Sequence, residues 1–222
     1  MIRTAILVDG GYYRMKALHH AGKKTGKERA DELEKYCYYH LGDENYLYRI
    51  FYYDCPPLDI NVYHPLTKKQ IDFKKSDTYS WTIEFHNELK KKRKFALRMG
   101  KLSSGGAEYR IKQASMKKLL SGSLDVSSLT EDDFELCFMQ KGVDMRIGLD
   151  IASIAHKHQA DQIVLIAGDS DFVPAAKHAR REGIDFILDP MGQRVNSDLF
   201  EHIDGMNSHW KKLLPHSDKS SK

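Results

Sequence analysis

"QIVLIAGDSDFVPAAKHARREGIDFILD", residues 162–189, decides the fold. Residues 162–168 form a short apolar run, the length of a buried strand and too short for a helix. Pro174 suits the first turn of a helix, and Gly183 suits its end. Residues 184–189 are again apolar and read as a second strand. Strand, helix and strand in such close succession make a βαβ unit, and hence a parallel sheet.

Working outward, the same alternation recurs. Residues 4–8 read as a strand that stops at Asp9-Gly10-Gly11, followed by helical spacing from Tyr12 to His20. "ERADELEKYCYYHL" reads as a helix, and "NYLYRIFYYD" (45–54) as a strand closed by Cys55-Pro56-Pro57. Residues 58–78 are polar and read as a loop leading into a helix. "TYSWTIEFHNELKKKRK" predicts a helix with Trp81, Ile83, Phe85 and Leu89 near its core side. "FALRMGKL" (95–102) and "FELCFMQK" (134–141) predict strands. Between them, residues 103–131 carry loop signals around a basic amphipathic piece and read as an insertion or flap. "GVDMRIGLDIASIAHKH" places Val143, Ile147, Ile151 and Ile154 on one helical face. "VNSDLFEHID" predicts a last helix. The expectation is a doubly wound α/β domain over 1–214, with a frayed tail at 215–222.

Composition sets the outer bounds. The chain has 222 residues, 41% hydrophobic and 30% charged, which suits one globular domain. A net charge of +4 allows a polyanionic partner without requiring one. Cys37, Cys55 and Cys137 show no metal or disulfide spacing and read as small hydrophobes of a reduced, cytoplasmic protein. No run approaches the ~20 apolar residues of a membrane span. The opening "MIRTAILVDGGYYR" is interrupted by Asp9 too soon for a secretory signal.

Ligands of doubly wound sheets bind beyond the carboxyl ends of the strands. Asp9, Asp169 and Asp171 all fall at such ends, and Asp144 lies in the first turn of a helix that follows a predicted strand. Each has a plain alternative as a turn residue or helix cap. Asp169, at the strand end with a second acid two positions on, is the hardest to explain that way. Four carboxylates meeting at one rim would repel one another unless a cation neutralised them. Hard divalent ions, Mg²⁺ or Mn²⁺, suit such ligands and can activate water against a phosphodiester. Asp150 lies about 240° round the helix from Asp144, so it reads as a salt-bridge or solvent-facing residue.

Four segments together resemble the NYN domain (LabA-like) family of PIN-like nucleases: "ILVDGGYYR", "KGVDMRIGLDIASIA", "IVLIAGDSDFVPAAKHARREG" and "DPMGQRVNSDLFEHID". They run in the family's order and leave 103–131 uncovered. The resemblance implies a PIN-like Rossmannoid sheet, mainly parallel and flanked by helices. It also implies metal-dependent endoribonuclease activity, with Asp9, Asp144, Asp169 and Asp171 at the acidic motif positions. Family members often carry an Asn two or three residues after the first Asp. Here the stretch is Asp9-Gly10-Gly11-Tyr12-Tyr13, and a tyrosine stands in its place.

Candidate RNA contacts follow from charge and shape. Lys91, Lys92, Arg93, Lys94 and Arg98 lie in an acid-free stretch that reads either as a solvated helix end or as a phosphate-tracking patch. Lys112, Lys117 and Lys118 extend that sign into the insertion. Tyr12 sits where it could stack on a base, although packing is the commoner use of such a tyrosine. Ser170 reads as a turn serine or a donor to phosphate. Asn196 and Ser197 fit a helix cap better than the rim. Two other functions stay open: a non-catalytic RNA-binding regulatory domain, and a phosphatase of the haloacid-dehalogenase type. The latter needs a second acid where Gly11 stands. A homodimer is neither required nor excluded.

Overall fold

The computed structural model describes residues 1–102, 107–138 and 140–214; the tail at 215–222 lies outside them. In chain order the elements are β1 (Ile2–Asp9), α1 (Gly10–Ala21), α2 (Gly26–Tyr38), β2 (Asn45–Asp54), β3 (Asn61–Tyr63), β4 (Gln70–Asp72) and α3 (Asp77–Lys91). Then come β5 (Phe95–Met99), β6 (Lys101–Leu102), β7 (Glu108–Ile111), α4 (Gln113–Leu120), β8 (Phe134–Cys137), β9 (Gln140–Lys141) and α5 (Val143–His156). The chain continues through β10 (Gln162–Ile166), α6 (Val173–Arg181), β11 (Asp185–Asp189), α7 (Ser197–Phe200) and β12 (Gly205–Met206).

Six strands form one parallel sheet in the order β12-β11-β10-β1-β2-β5. The order reverses at β1. From there the chain builds outward through β2 and β5, then returns to the other side of β1 through β10, β11 and β12. The crevice beyond β1 and β10 is therefore the topological switch point of this sheet.

The central strand shows why the sheet is covered on both faces. Ala5 and Leu7 point into one core with Ile147, Ile151 and Phe172, whereas Ile6 and Val8 point into the other with Tyr13, Leu33 and Phe85. Side chains alternate along a strand, so four consecutive buried residues need helices on each side. Helices α1, α2 and α3 supply one layer, α5 and α6 the other.

Three expectations need correction. Residues 134–141 are not a strand of the central sheet: β8 pairs antiparallel with β7, and β9 with β6. The segment at 58–78 contains the small β3–β4 hairpin before α3 begins. In α3, Ile83 is exposed, while Thr82 and His86 are buried beside Phe85 and Leu89. His86 is drawn inward by the carboxylate of Asp54, 3.0 Å from its Nε2. Among the described residues, no helix is long and apolar enough to cross a membrane.

Candidate active site

Parallel register brings several acids to one edge. Val8 lies beside Ile166, Ile166 beside Asp189, and Asp9 beside Tyr53, the neighbour of Asp54. Strands β1, β2 and β11 each end in an aspartate, and Asp169 follows β10. These acids differ sharply in how far their charge is already satisfied.

Asp9 closes β1 and caps α1, its Oδ1 accepting from the Tyr12 N–H at 3.1 Å. Helix α1 starts hard against β2: a Cβ at Gly10 would fall 2.5 Å from the Tyr53 carbonyl oxygen and the Tyr52 ring. Burial pushes the Asp9 carboxyl from 3.8 up to about 6. The charges of Asp144 and Asp54 add to that, and the N–H groups of Tyr12 and Gly11 oppose it. The cap alone does not offset the desolvation of this half-buried carboxylate.

Asp144 is exposed in the first turn of α5, which starts from Gly142 at φ +79°. It reaches the rim through the start of α5, not from a sheet strand: Gly100, which follows β5, would meet Val143 at 2.9 Å through an added Cβ. Burial raises the Asp144 carboxyl, and the charges of Asp169 and Asp171 raise it further. Asp169 caps the tight turn 170–172, accepting from the Asp171 N–H at 3.0 Å. Asp171 is exposed within that turn, and Ser170 sits half-buried between the two. Asp9, Asp144, Asp169 and Asp171 thus share one electrostatic neighbourhood at the switch point.

The donor set is all carboxylate, which suits a hard divalent cation, and the raised carboxyls of Asp9 and Asp144 mark crowded charge that such a cation relieves. Among the described residues, no three Asp, Glu, His or Cys side chains are placed so that together they could hold a metal ion.

Two further aspartates were not singled out in the sequence. Asp54 is fully buried and gripped by Arg14 through two contacts of 2.6 and 3.0 Å, by His86 at 3.0 Å and by the Tyr52 hydroxyl at 3.0 Å. Burial alone would raise its carboxyl. The His86 hydrogen bond and the Arg14 charge prevail and hold it below the usual carboxylate range. Asp189, also fully buried, accepts from Tyr36, His40, Ser208 and the Met191 N–H at 2.5 to 2.9 Å. The hydrogen-bonding capacity of Asp54 and Asp189 is thus satisfied by protein donors. The signal for both was present: "FYYD" and "FILD" end apolar strands just as "ILVD" does.

The proposed RNA contacts separate. Lys91, Lys92, Arg93 and Lys94 lie at the end of α3 and the start of β5, the sheet edge opposite the acids. Lys91 pairs with Glu88 at 2.6 Å, and Lys92 with Asp31 and Glu34 at 2.6 and 2.8 Å. Lys94 donates to the Leu47 carbonyl and sits 3.9 Å from the Tyr46 ring centroid. Arg93 is exposed. Arg98 lies near the acidic edge, but its Nε binds Asp150 at 2.9 Å. The hydroxyl of Tyr12 donates to the Pro190 carbonyl at 2.6 Å. Its ring covers Gly168, where a Cβ would fall 2.4 Å away. Tyr12 therefore ties the loops after β10 and β11 together instead of presenting a free face. Asn196 caps α7, accepting from the Asp198 N–H at 3.1 Å.

The profile of the NYN domain family matches residues 82–198, and the chain belongs to that family. It is thereby placed in the PIN-like nuclease superfamily. The matched stretch contains Asp144, Asp169 and Asp171. Asp9 lies outside it and is tied to it by the pairing of β1 with β10. Among solved structures, the chain is similar to a protein of unknown function, VPA0982, from Vibrio parahaemolyticus RIMD 2210633. Identity is 15%, with 93% of this chain and 92% of that chain covered, at a TM-score of 0.49. No curated protein matches the chain significantly.

Proposed function

We propose that this domain, read as one unit over residues 1–214, is a metal-dependent endoribonuclease. The observation that carries the reading is the contrast among the acids at one edge: Asp54 and Asp189 are satisfied by protein donors, whereas Asp9 and Asp144 are left crowded and raised. Asp9, Asp144, Asp169 and Asp171 line the rim that would take Mg²⁺ or Mn²⁺, at most two of them reaching the ion at once in this arrangement and water completing its shell. Such an ion, when bound, activates water and offsets charge on the phosphate.

The chain's own groups do the rest. Asp9, fixed by its cap bond, sets the inner wall of the site. Asp144 and Asp169 approach from the start of α5 and the loop after β10, so the rim is assembled from three separate elements. The Ser170 hydroxyl can donate to a phosphate oxygen. Arg14, anchored on Asp54 and electrostatically coupled to Asp9, would lie beside a phosphate held at the rim.

Purified protein should cleave a labelled RNA with Mg²⁺ or Mn²⁺, stop in EDTA and resume when the ion is restored. Cleavage indifferent to EDTA would remove the ion from the reaction. One observation favours a second reading, RNA binding without turnover. Tyr12 occupies the position of the family's amide, and its hydroxyl is committed to Pro190. Tight RNA binding with no cleavage at any divalent ion concentration would select that reading.

A further inference from the structure

A groove of about 670 Å³ opens beside the acidic rim. Its shared wall is Arg14, which touches Asp54 on one side and faces the groove on the other. Cys55, Pro56 and Pro57, the residues directly after Asp54, continue that wall. Helix α3 contributes Trp81, stacked on Phe85 at 5.1 Å and anchored by its Nε1 on the Lys24 carbonyl at 2.8 Å. Phe73 lies before α3, and Phe138, directly after β8, adds an exposed aromatic.

We infer that this groove binds unpaired bases of single-stranded RNA next to the phosphate being cut. The inference rests on the nuclease reading for the word "cut", but not for the binding itself. Three observations point the same way. First, the walls present flat aromatic and proline faces among the aliphatic Met15, Leu18, Leu58 and Leu136, and such flat faces suit base faces of any sequence. A duplex hides those faces, so the surface discriminates for unpaired nucleotides. Second, the volume is that of a small-ligand site, suited to about one or two nucleotides rather than a helix. Third, a cation is available for phosphate, although the exposed Asp77 also lines the groove. Lys24 and Arg29 are spent on Glu32, but Lys23 is exposed at the groove and has no ion-pair partner among the described residues. None of the four rim acids lines the groove itself; Arg14, which lines it and is electrostatically coupled to Asp9, links its occupant to the rim. The segment after the insertion thus contributes a base-contacting wall through Leu136 and Phe138, and no lysine of the insertion lines the groove.

The test uses fluorescence anisotropy in EDTA with a labelled unstructured RNA of about a dozen nucleotides and its blunt duplex. The single strand should bind at least about ten-fold tighter. The double variant Phe73→Ala/Phe138→Ala should lose about ten-fold in affinity for the single strand, with the thermal midpoint unchanged because both rings are partly exposed. Lys23→Ala should weaken binding and flatten its salt dependence. Equal affinity for both RNAs, or wild-type binding by the double variant, would overturn the inference. So would a hydrophobic dye seated in the groove that RNA fails to displace, which would mark a protein-docking surface. The two readings fail separately. Wild-type cleavage with no effect of the groove variants sinks the groove alone; groove-dependent binding with no cleavage sinks the nuclease alone.

Discussion

Replacing Asp9 with Asn should remove cleavage and make the protein more stable at neutral pH. The carboxyl stands at about 6 in the fold against 3.8 for the free group. Each unit is about 1.4 kcal/mol, so ionised Asp9 costs the native state about 3 kcal/mol at most. The side chain keeps some contact with water, and about 2 kcal/mol is a fairer expectation. Asn retains the acceptor that caps α1, so the Tyr12 bond survives. The sign follows from proton binding. Between pH 4 and 6 the folded protein holds a proton that the unfolded chain has released. This group therefore makes wild-type stability fall across that window and stay flat above it. Asn does not titrate. The variant should match wild type near pH 4 and exceed it by about 2 kcal/mol at pH 7.5, or about 4–8 °C in Tm. Urea denaturation at both pH values measures this. Millimolar Mg²⁺ should narrow the gap by stabilising wild type only. A less stable Asn variant at pH 7.5, or a gap independent of pH, would refute the reasoning.

Other substitutions probe the remaining assignments. Lys92→Met breaks its pairs with Asp31 and Glu34; urea denaturation should show a loss of about 1 kcal/mol, with RNA affinity unchanged. Asp189→Ala leaves Tyr36, His40, Ser208 and the Met191 N–H without their acceptor. A loss of about 3–5 kcal/mol is expected from thermal unfolding. Gly168→Ala drives a methyl into the Tyr12 ring. It should cost about 1–3 kcal/mol and slow cleavage by moving the loop that carries Asp169.

The parts of the fold that were legible are those governed by local pattern. Residues 162–189 and the β1–α1 unit carry their own periodicity, caps and glycines. The segment 134–141 carries a strand pattern too, yet its partners are β7 and β6, and pairing is not a local property. The lysine run was visible as charge, but its partners Asp31 and Glu34 lie on another helix, so its role as a brace between α2 and α3 was not. Asp9, Asp169 and Asp171 could be picked out as candidates from strand ends; Asp144 could be picked out only from the first turn of its helix, because the strand expected to carry it to the rim is not part of the central sheet. What separated Asp9 from Asp54 was the set of donors around each. Arg14, His86 and Tyr52 come from three different elements, and only the folded chain brings them to Asp54.

The account turns on whether a divalent ion settles among the carboxylates at the switch point. A crystal soaked in Mn²⁺ and measured at the manganese edge answers it directly. Anomalous density is expected between Asp9, Asp144 and the Asp169 loop, and none in the same position for Asp9→Asn. Manganese bound elsewhere, or an empty rim at saturating ion, would contradict it.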